Sequence, residues 1–307
     1  MMSAEVTAMV TARYGLGRET GPPVYAARGE LGRIWRLETD RGTWAVKEAL
    51  VPVAEADAAA DVAFQLAAAA SGVPLPLPVR TTDGQVTVRG PDAALRVYEW
   101  VDLDPAASDP SGAGLGALLA RLHRVGHPAG GPVGEWFAAP VGRARWHDLA
   151  AAATRAGASW ADPLAAHLAE LVAVDALVRP PEPGKVITCH RDVNAENVRH
   201  TTAGALVVLD WENSGPAQPE RELAALLWEV GDDAPVAAAA YDGPALRPAD
   251  FSMAIAVQGH LVEIYARRAL DPGAPPEDRA RSTARLDAML ARPLTEAGIV
   301  RLLDLVH

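Results

Sequence analysis

Three polar side chains follow two short apolar segments in the second half of the chain. Asp192 and Asn197 lie in CHRDVNAENV (189–198), and Asp210 follows the apolar run that opens VVLDWENSG (207–215). Mg²⁺ prefers hard oxygen ligands and usually takes one or two carboxylates beside phosphate oxygens. A further carboxylate could orient a hydroxyl and accept its proton. This pattern predicts phosphoryl transfer, with Asn197 and Asp210 on magnesium and Asp192 on the acceptor hydroxyl.

Phosphoryl transfer also needs a cation for the α- and β-phosphates, and the rarity of lysine suggests which residue supplies it. The chain contains 26 arginines but only two lysines, Lys47 and Lys185. A generic surface cation would therefore be expected to be arginine. Lys47 ends the predicted strand TWAVK, where alternation places it on the face opposite Val46. We predict that Lys47 binds the nucleotide phosphates.

The elements that must position these residues are mainly strands in residues 24–100. Alternating apolar positions around the turn at 40–42 predict a hairpin, and a second hairpin is predicted near residues 83–84. Between them, the alanine-rich segment 54–71 contains no helix breaker and is predicted to be helical. From residue 102 onward the pattern is mainly helical.

One short β-loop-β segment interrupts the helical half. KVITC and ALVVLDW are apolar runs of strand type that flank HRDVNAENVRH, and residues 202–204 form a predicted turn. We expect the two strands to end side by side and to bring the three oxygen-bearing groups to one edge. The leucines of LGALLARLHRV have helical spacing and are expected in the core.

Composition and charge limit the function classes. The 307 residues are 50% hydrophobic, enough for one large domain or two lobes. A single cysteine, Cys189, excludes an intramolecular disulfide framework, and no signal peptide or membrane span is expected, which favours the cytoplasm. The net charge of −11 argues against a nucleic-acid partner. Residues 102–307 carry 18 basic and 27 acidic side chains, which favours a cationic ligand or an acidic solvated surface.

The motifs AVK, HRDVNAEN and DWE resemble, in this order, those of protein kinases and, more closely, of the aminoglycoside phosphotransferase and choline kinase group. The resemblance extends from about Gly29 to Leu226. It implies an α+β, bilobal, protein-kinase-like fold with ATP or GTP bound between the lobes. The small β-rich N-lobe would comprise residues 1–101, and the larger helical C-lobe would comprise residues 102–307.

The resemblance implies further nucleotide contacts. Gly29 and Gly32 would cover the phosphates, although the segment ARGELGRIW has no GxGxxG pattern. The backbone of Glu99 and Val101 would meet the nucleobase at the inter-lobe hinge.

The resemblance also implies a helix carboxylate that holds Lys47. Asp61 is the expected residue, and Glu55 and Asp57 are alternatives. Aspartate is one methylene shorter than the glutamate that is usual at this place.

Three residues would support the catalytic loop. His190 is expected to order the loop by hydrogen bonding. Arg191, where aminoglycoside phosphotransferases usually have glycine, is expected to be a structural partner more than a phosphate ligand. Asn194, where protein kinases have lysine, would touch the γ-phosphate or cap the turn.

The substrate is expected to be a small molecule, because no activation-loop length or Ala-Pro-Glu segment follows Asp210. Carboxylates near predicted helix ends could seat ammonium groups or simply be solvated, namely Glu229, Asp232, Asp233 and Glu263. The sequence thus predicts a Mg-dependent kinase of an aminoglycoside-like or other natural-product antibiotic, as monomer or homodimer. Alternatives are a kinase of a sugar, amino-alcohol or nucleoside metabolite, and a nucleotide-binding pseudokinase.

Overall fold

The computed structural model describes residues 2–29 and 32–307. By its internal contacts the chain forms two compact units. The first consists of Met1–Pro110, Arg124–His127 and Asp192–Ser214, and the second of Ser111–His123, Pro128–Arg191 and Gly215–His307. The predicted division at residue 101 follows chain order, whereas Asp192–Ser214 belongs by its contacts to the first unit.

The first unit is built on an antiparallel sheet. Its strands are β1 (Val24–Arg28), β2 (Gly32–Thr39), β3 (Gly42–Ala49), β4 (Pro78–Val79), β5 (Val88–Arg89) and β6 (Ala94–Glu99). They lie in the order β1-β2-β3-β6-β4, and β5 also pairs with β6. In the hairpin of β2 and β3, Thr39 faces Gly42, so the predicted turn is confirmed.

Two helices accompany this sheet. The predicted helix is confirmed as α2 (Glu55–Ala70), whereas α1 (Ala4–Tyr14) was not predicted. The Ser3 hydroxyl caps α1 by accepting a hydrogen bond from the Val6 N–H at 3.2 Å. Val10 and Tyr14 of α1 join the apolar core of the sheet, which includes Val46.

The segment Asp192–Ser214 of the first unit contains a separate small hairpin. Strands β8 (Val198–His200) and β9 (Leu206–Val208) pair with each other. In the second unit, β7 (Ile187–Cys189) pairs with β10 (Gly215–Ala217). The strands before Asp192 and Asp210, β7 and β9, therefore each pair with another strand and not with each other. The tight turn after β8 closes β9 onto its nearest neighbour along the chain.

The second unit is mainly helical. Its helices are α3 (Gly112–Arg124), α4 (Glu135–Ala138), α5 (Arg143–Ala156), α6 (Ala161–Asp175), α7 (Pro219–Val230), α8 (Ala234–Tyr241), α9 (Ser252–Leu270), α10 (Pro276–Ala291) and α11 (Glu296–Val306). The four leucines predicted for the core are buried on α3. Helices α5, α6, α9 and α10 share one hydrophobic cluster around Trp146 and Leu286. Within the described ranges, no helix has the length and apolar character needed to cross a bilayer.

Candidate active site

Lys47 lies on β3 next to Val46, which is fully buried in the core. Alternation turns the lysine to the other face, as predicted. Its Nζ atom lies 2.8 Å from Oδ1 of Asp210 and 2.7 Å from Oε2 of Glu212. Burial lowers the pKa of Lys47, but the two carboxylates outweigh burial and raise it above its usual value. The lysine is therefore held as a cation beside the predicted metal-binding residue.

Asp61 was expected to pair with Lys47, and this pairing is wrong. Asp61 is buried on α2, and its Oδ2 atom lies 3.1 Å from Nη1 of Arg96. Arg96 lies opposite Lys47 in the register of β3 and β6. Because the guanidinium group reaches farther than the ammonium group, the short aspartate side chain meets the arginine.

The two alternative helix acids do not hold Lys47 either. The Glu55 carboxylate accepts hydrogen bonds from the Val86 N–H at 2.7 Å and the Thr87 N–H at 3.1 Å. Asp57 is exposed, and among the described residues it has no ion pair with Lys47. The partners of Lys47 are instead Asp210 and Glu212, and Glu212 was missed although it stands two residues after Asp210 in the quoted motif DWE.

The loop that carries Asp210 is fixed by Trp211. Its buried indole donates a hydrogen bond to the Val208 carbonyl at 3.1 Å and meets the Phe64 ring edge-on, with centroids 5.3 Å apart. Asp210 itself has a left-handed backbone with φ 58°. Such a conformation costs a non-glycine residue on the order of 1 kcal/mol, which the packing of Trp211 offsets.

Asp192 is held by two amide side chains. Its Oδ1 atom accepts a hydrogen bond from Nδ2 of Asn194 at 2.9 Å, and its Oδ2 atom accepts one from Nδ2 of Asn213 at 3.0 Å. Asn213 ends the short 3₁₀ turn Trp211–Asn213 that follows Asp210. Asn213 thus joins the catalytic loop, which carries Asp192, to the metal loop, which carries Asp210. The sequence did not indicate this role of Asn213.

Asn194 and Asn197 order the turn after Asp192. Oδ1 of Asn194 accepts hydrogen bonds from the Glu196 N–H at 2.9 Å and the Asn197 N–H at 3.0 Å. Two roles were expected for Asn194, and these hydrogen bonds are those of a residue that caps the turn. Nδ2 of Asn197 donates to the Asp192 carbonyl at 3.0 Å, and the Asn197 carbonyl accepts from the Leu209 N–H at 2.8 Å.

Two side-chain oxygen atoms, one on Asn197 and one on Asp210, are suitable ligands for a magnesium ion. Considering residues 2–29 and 32–307, Oδ1 of Asn197 accepts no hydrogen bond, and Oδ2 of Asp210 has no protein partner. One amide oxygen and one carboxylate are the kind and number of protein ligands that Mg²⁺ takes beside phosphates.

Gly32 makes room for Lys47. A Cβ atom at Gly32 would lie 2.8 Å from Cε of Lys47 and 3.1 Å from the Glu48 carbonyl. The Gly29 N–H donates to the Gly32 carbonyl at 2.9 Å, and a Cβ atom at Gly29 would lie 4.0 Å from that carbonyl oxygen. The intervening Glu30 and Leu31, part of the predicted phosphate loop, lie outside the described residues.

The predicted hinge residues follow the end of β6. The Glu99 N–H donates to the Leu77 carbonyl at 2.8 Å, and the Trp100 N–H donates to the Thr43 carbonyl at 3.1 Å. The Val101 N–H and carbonyl group bond to no group in the described part of the chain. Val101 therefore has backbone groups that could meet a nucleobase edge.

His190 and Arg191 precede Asp192 and belong to the second unit. His190 is fully buried. The Arg191 guanidinium lies 3.8 Å from the centroid of the Phe137 ring, and its backbone N–H donates to Glu222. These contacts are those of a structural residue, and Arg191, like Asp210, has a left-handed backbone.

Glu222 on α7 is the centre of a buried polar cluster that the sequence did not reveal. Its carboxylate lies 2.8 Å from Nε2 of His123, whose Nδ1 lies 2.8 Å from the Tyr241 hydroxyl. Burial raises the pKa of Glu222, but the hydrogen bond and charge of His123, the charge of His190 and the Arg191 N–H together outweigh burial and hold the pKa below its usual range. Beside it, burial raises the pKa of the Cys189 thiol, which is packed in a hydrophobic cluster.

The four predicted substrate carboxylates do not form one acidic surface. Glu263 is buried and paired with Arg145 and Arg267, whose hydrogen bonds outweigh the effect of burial and hold its pKa below the usual range. Asp233 accepts a hydrogen bond from the Gly112 N–H at 3.1 Å. The other two, Glu229 and Asp232, are exposed.

Glu263 instead lines a cavity of about 480 Å³ in the second unit. Its two arginine partners also line the cavity, together with Trp136 and His260. These two rings are stacked, with centroids 5.1 Å apart. Glu135 also lines the cavity, which thus combines two acids and two arginines with an aromatic wall.

A sequence model of the phosphotransferase enzyme family, APH, matches residues 25–254, which confirms the predicted resemblance. The structure is similar to a spectinomycin phosphotransferase solved with ADP and spectinomycin, with a TM-score of 0.71, 12% identity, and coverage of 99% of this chain and 98% of the other. It is similar to an aminoglycoside phosphotransferase from Alicyclobacillus acidocaldarius, with a TM-score of 0.61, 20% identity and 96% coverage of each chain.

A third similar structure is a choline/ethanolamine kinase family protein from Mesorhizobium loti, with a TM-score of 0.56, 20% identity, and coverage of 100% of this chain and 99% of the other. No curated protein matches the sequence. The three structures share the kinase-like α+β fold, so the predicted fold class is confirmed.

Proposed function

Because the chain belongs to the phosphotransferase enzyme family, we propose that it is a kinase that transfers the γ-phosphoryl group of ATP or GTP to a hydroxyl group of a small molecule. The observation that carries this proposal is the joining of the two loops around Lys47. Asp210 contacts Lys47 at 2.8 Å, and Asn213 of the same loop donates to Asp192 at 3.0 Å. A cation, a metal ligand and a proton acceptor are thereby held together.

Lys47 and Asp192 have separate roles in this proposal. Lys47 binds the α- and β-phosphates and fixes the nucleotide in place. Asp192 accepts the proton of the acceptor hydroxyl, and its two amide partners hold its carboxylate plane so that the hydroxyl is aligned for attack. Little covalent work is left to the protein, because phosphoryl transfer depends chiefly on alignment and charge stabilisation.

Asn197 and Asp210 would hold magnesium through the two oxygen atoms that lack protein partners. When bound, the ion neutralises charge on the transferred phosphoryl group. The backbone of Glu99 and Val101 is proposed to bind the nucleobase, and Gly29 and Gly32 to border the phosphates. The similar spectinomycin phosphotransferase was solved with ADP, which supports a nucleotide here.

We propose a natural-product antibiotic as the acceptor, since the similar structures include kinases of spectinomycin and of aminoglycosides. A polycationic acceptor receives less support than the net charge suggested, because Glu263 and Asp233 are already bonded within the protein. The same internal bonding favours a second candidate acceptor, a neutral scaffold such as a nucleoside. A cytoplasmic location, where ATP is available, is part of the proposal.

The proposal is tested by incubating the purified protein with γ-labelled ATP and Mg²⁺ and a panel of antibiotics, amino alcohols, sugars and nucleosides. We expect labelled product from at least one acceptor. Asp192→Asn should lower kcat by a factor of at least about 100, within the range expected for loss of a general base, and should still bind Mg-nucleotide. Glu196→Gln, an exposed acid of the same loop, is the matched control and should keep activity. Nucleotide binding without transfer to any acceptor, and full activity of Asp192→Asn, would each refute the assignment.

A further inference from the structure

The helical second unit contains a cavity that has no part in the proposed function. Its volume of about 480 Å³ lies within the range that is usual for sites of small-molecule ligands. The lining side chains come from α4, α5 and α9, and both α4 and α5 pack against α9. The cavity is therefore formed by packed helices of one unit, and a ligand does not need to create it.

His260 supplies an unused hydrogen-bond acceptor at the wall of this cavity. Only 8% of the residue is exposed, and its Nε2 atom lies 3.0 Å from the Ala139 carbonyl oxygen. Since a carbonyl group can only accept, Nε2 carries the proton, and in the neutral ring Nδ1 is a lone-pair acceptor. Within residues 2–29 and 32–307, Nδ1 has no hydrogen-bond partner and is not sealed from solvent. A ligand with a hydroxyl or N–H group would satisfy this atom.

Trp136 gives the cavity a flat aromatic surface. Its indole stacks on the imidazole of His260, with centroids 5.1 Å apart and an angle of 21° between the two planes. Trp136 is half-buried and lines the cavity, so part of the indole remains available to a ligand. Because aromatic rings attract other flat rings in offset stacking, this wall favours a planar ligand.

The charged side chains of the lining carry no net formal charge. The buried Glu263 carboxylate accepts hydrogen bonds from Nε of Arg145 at 3.0 Å and Nη2 of Arg267 at 2.7 Å. Glu135 also lines the cavity, so two acids accompany two arginines. Across the described part of the chain, Nη1 of each arginine has no partner. These groups can donate to a carbonyl oxygen, and a neutral ligand would leave the charge balance unchanged.

We propose that this cavity binds a neutral molecule with a planar ring, a hydrogen-bond donor and a carbonyl group. Trp136 is its stacking surface, and Nδ1 of His260 accepts its hydroxyl or N–H group. Nη1 of Arg145 or Arg267 donates to its carbonyl oxygen. The inference goes beyond the proposed function, because binding in this cavity requires neither nucleotide nor transfer.

Three matched neutral probes test the inference on the wild-type protein. 3-Hydroxyacetophenone has the ring, the donor and the carbonyl group, 3-methoxyacetophenone lacks the donor, and 3-acetylcyclohexanol lacks the flat ring. Each probe is titrated into protein labelled with ¹⁵N-histidine, without nucleotide or metal, and binding is followed by NMR. We expect 3-hydroxyacetophenone to bind with a Kd of about 1 mM, ordinary for a ligand of its size, and the other two to bind at least about fivefold more weakly. 3-Hydroxyacetophenone should shift the Nδ1 signal of His260, and 3-methoxyacetophenone should not.

Substitutions then assign the individual contacts. His260→Gln keeps a side-chain N–H for the Ala139 carbonyl but removes Nδ1, so the two aromatic probes should bind this variant equally. Trp136→Ala should weaken the binding of 3-hydroxyacetophenone at least about fivefold, whereas Trp136→Phe, which keeps a flat ring, should weaken it less than about threefold. His167→Gln on α6, outside the cavity, is the matched control and should bind like the wild type.

The inference is overturned if the wild-type protein binds the two aromatic probes equally or binds neither. It is also overturned if saturating 3-hydroxyacetophenone leaves the Nδ1 signal of His260 in place. A third refuting result is wild-type affinity of Trp136→Ala, once its urea unfolding transition shows that the variant is folded. None of these measurements involves phosphoryl transfer, so a failure of the proposed function and a failure of this inference are distinguishable.

Discussion

The stability of the first unit should depend on pH through Asp61. Burial raises the pKa of Asp61 from its ordinary value of 3.8 to about 7, although the nearby Arg96 opposes the rise. The folded protein therefore binds this proton more tightly than the unfolded chain does. The stabilisation from this proton is fully present below about pH 4 and is lost as the pH rises to about 7.

The variant Asp61→Asn isolates this effect, because asparagine has nearly the same shape and does not titrate. Each pH unit between the two pKa values is worth about 1.4 kcal/mol in the free energy of unfolding. Over about three pH units, the free energy of unfolding of the variant should rise relative to that of the wild type by at most about 4 kcal/mol. We expect equal stability near pH 4 and a more stable variant at pH 8, since desolvation of a buried ion pair can exceed its attraction.

Urea unfolding followed by tryptophan fluorescence at several pH values measures this difference. Asp57→Asn, an exposed acid on the same face of α2, is the matched control for loss of one negative charge. A variant that becomes progressively less stable than the wild type between pH 4 and 7 would refute the reasoning. It would mean that the attraction of Arg96 exceeds the cost of burial and that the pKa of Asp61 is lowered on folding.

Two further predictions concern the proposed active site. Gly32→Ala should raise the KM for nucleotide about tenfold, because its Cβ would lie 2.8 Å from Cε of Lys47, and small displacements at a reacting site are costly. Gly21→Ala is the control, because nothing lies within 4 Å of the added atom, and it should leave the KM for nucleotide unchanged. Removal of divalent cations with EDTA should abolish transfer, and Mg²⁺ should restore it, because the available ligands of Asn197 and Asp210 are hard oxygen atoms. Transfer that persists in EDTA would contradict the metal-binding role.

Much of the site could be predicted because its residues are close together along the chain. Asp192 and Asn197 share one loop, and Asp210 follows the next strand, so short-range spacing was sufficient to group them. The hairpin of β2 and β3 was equally local, and its turn residues specify it. Alternation within β3 then placed Lys47 on the face opposite the core.

The pairing of Asp61 with Arg96 could not be predicted, because it depends on the pairing of distant strands. The register of β3 and β6 places Arg96 beside Lys47, and nothing near Arg96 in the sequence reveals this neighbour. Which of these two cations the Asp61 carboxylate meets then depends on the lengths of the side chains. The spacing of residues along a helix does not predict this. The partners of β7 and β9 were unpredictable for a related reason, since three-residue apolar runs do not encode their pairing.

The anchored conformation of Asp210 has a consequence for protein engineering. Its left-handed backbone is maintained by the indole of the next residue, Trp211, which packs against Phe64 on α2. Transplanting the aspartate alone into another scaffold would let the chain relax into an ordinary extended or right-handed geometry and misdirect the carboxylate. A functional transplant must therefore include Trp211 and an aromatic side chain in the place of Phe64 for it to pack against.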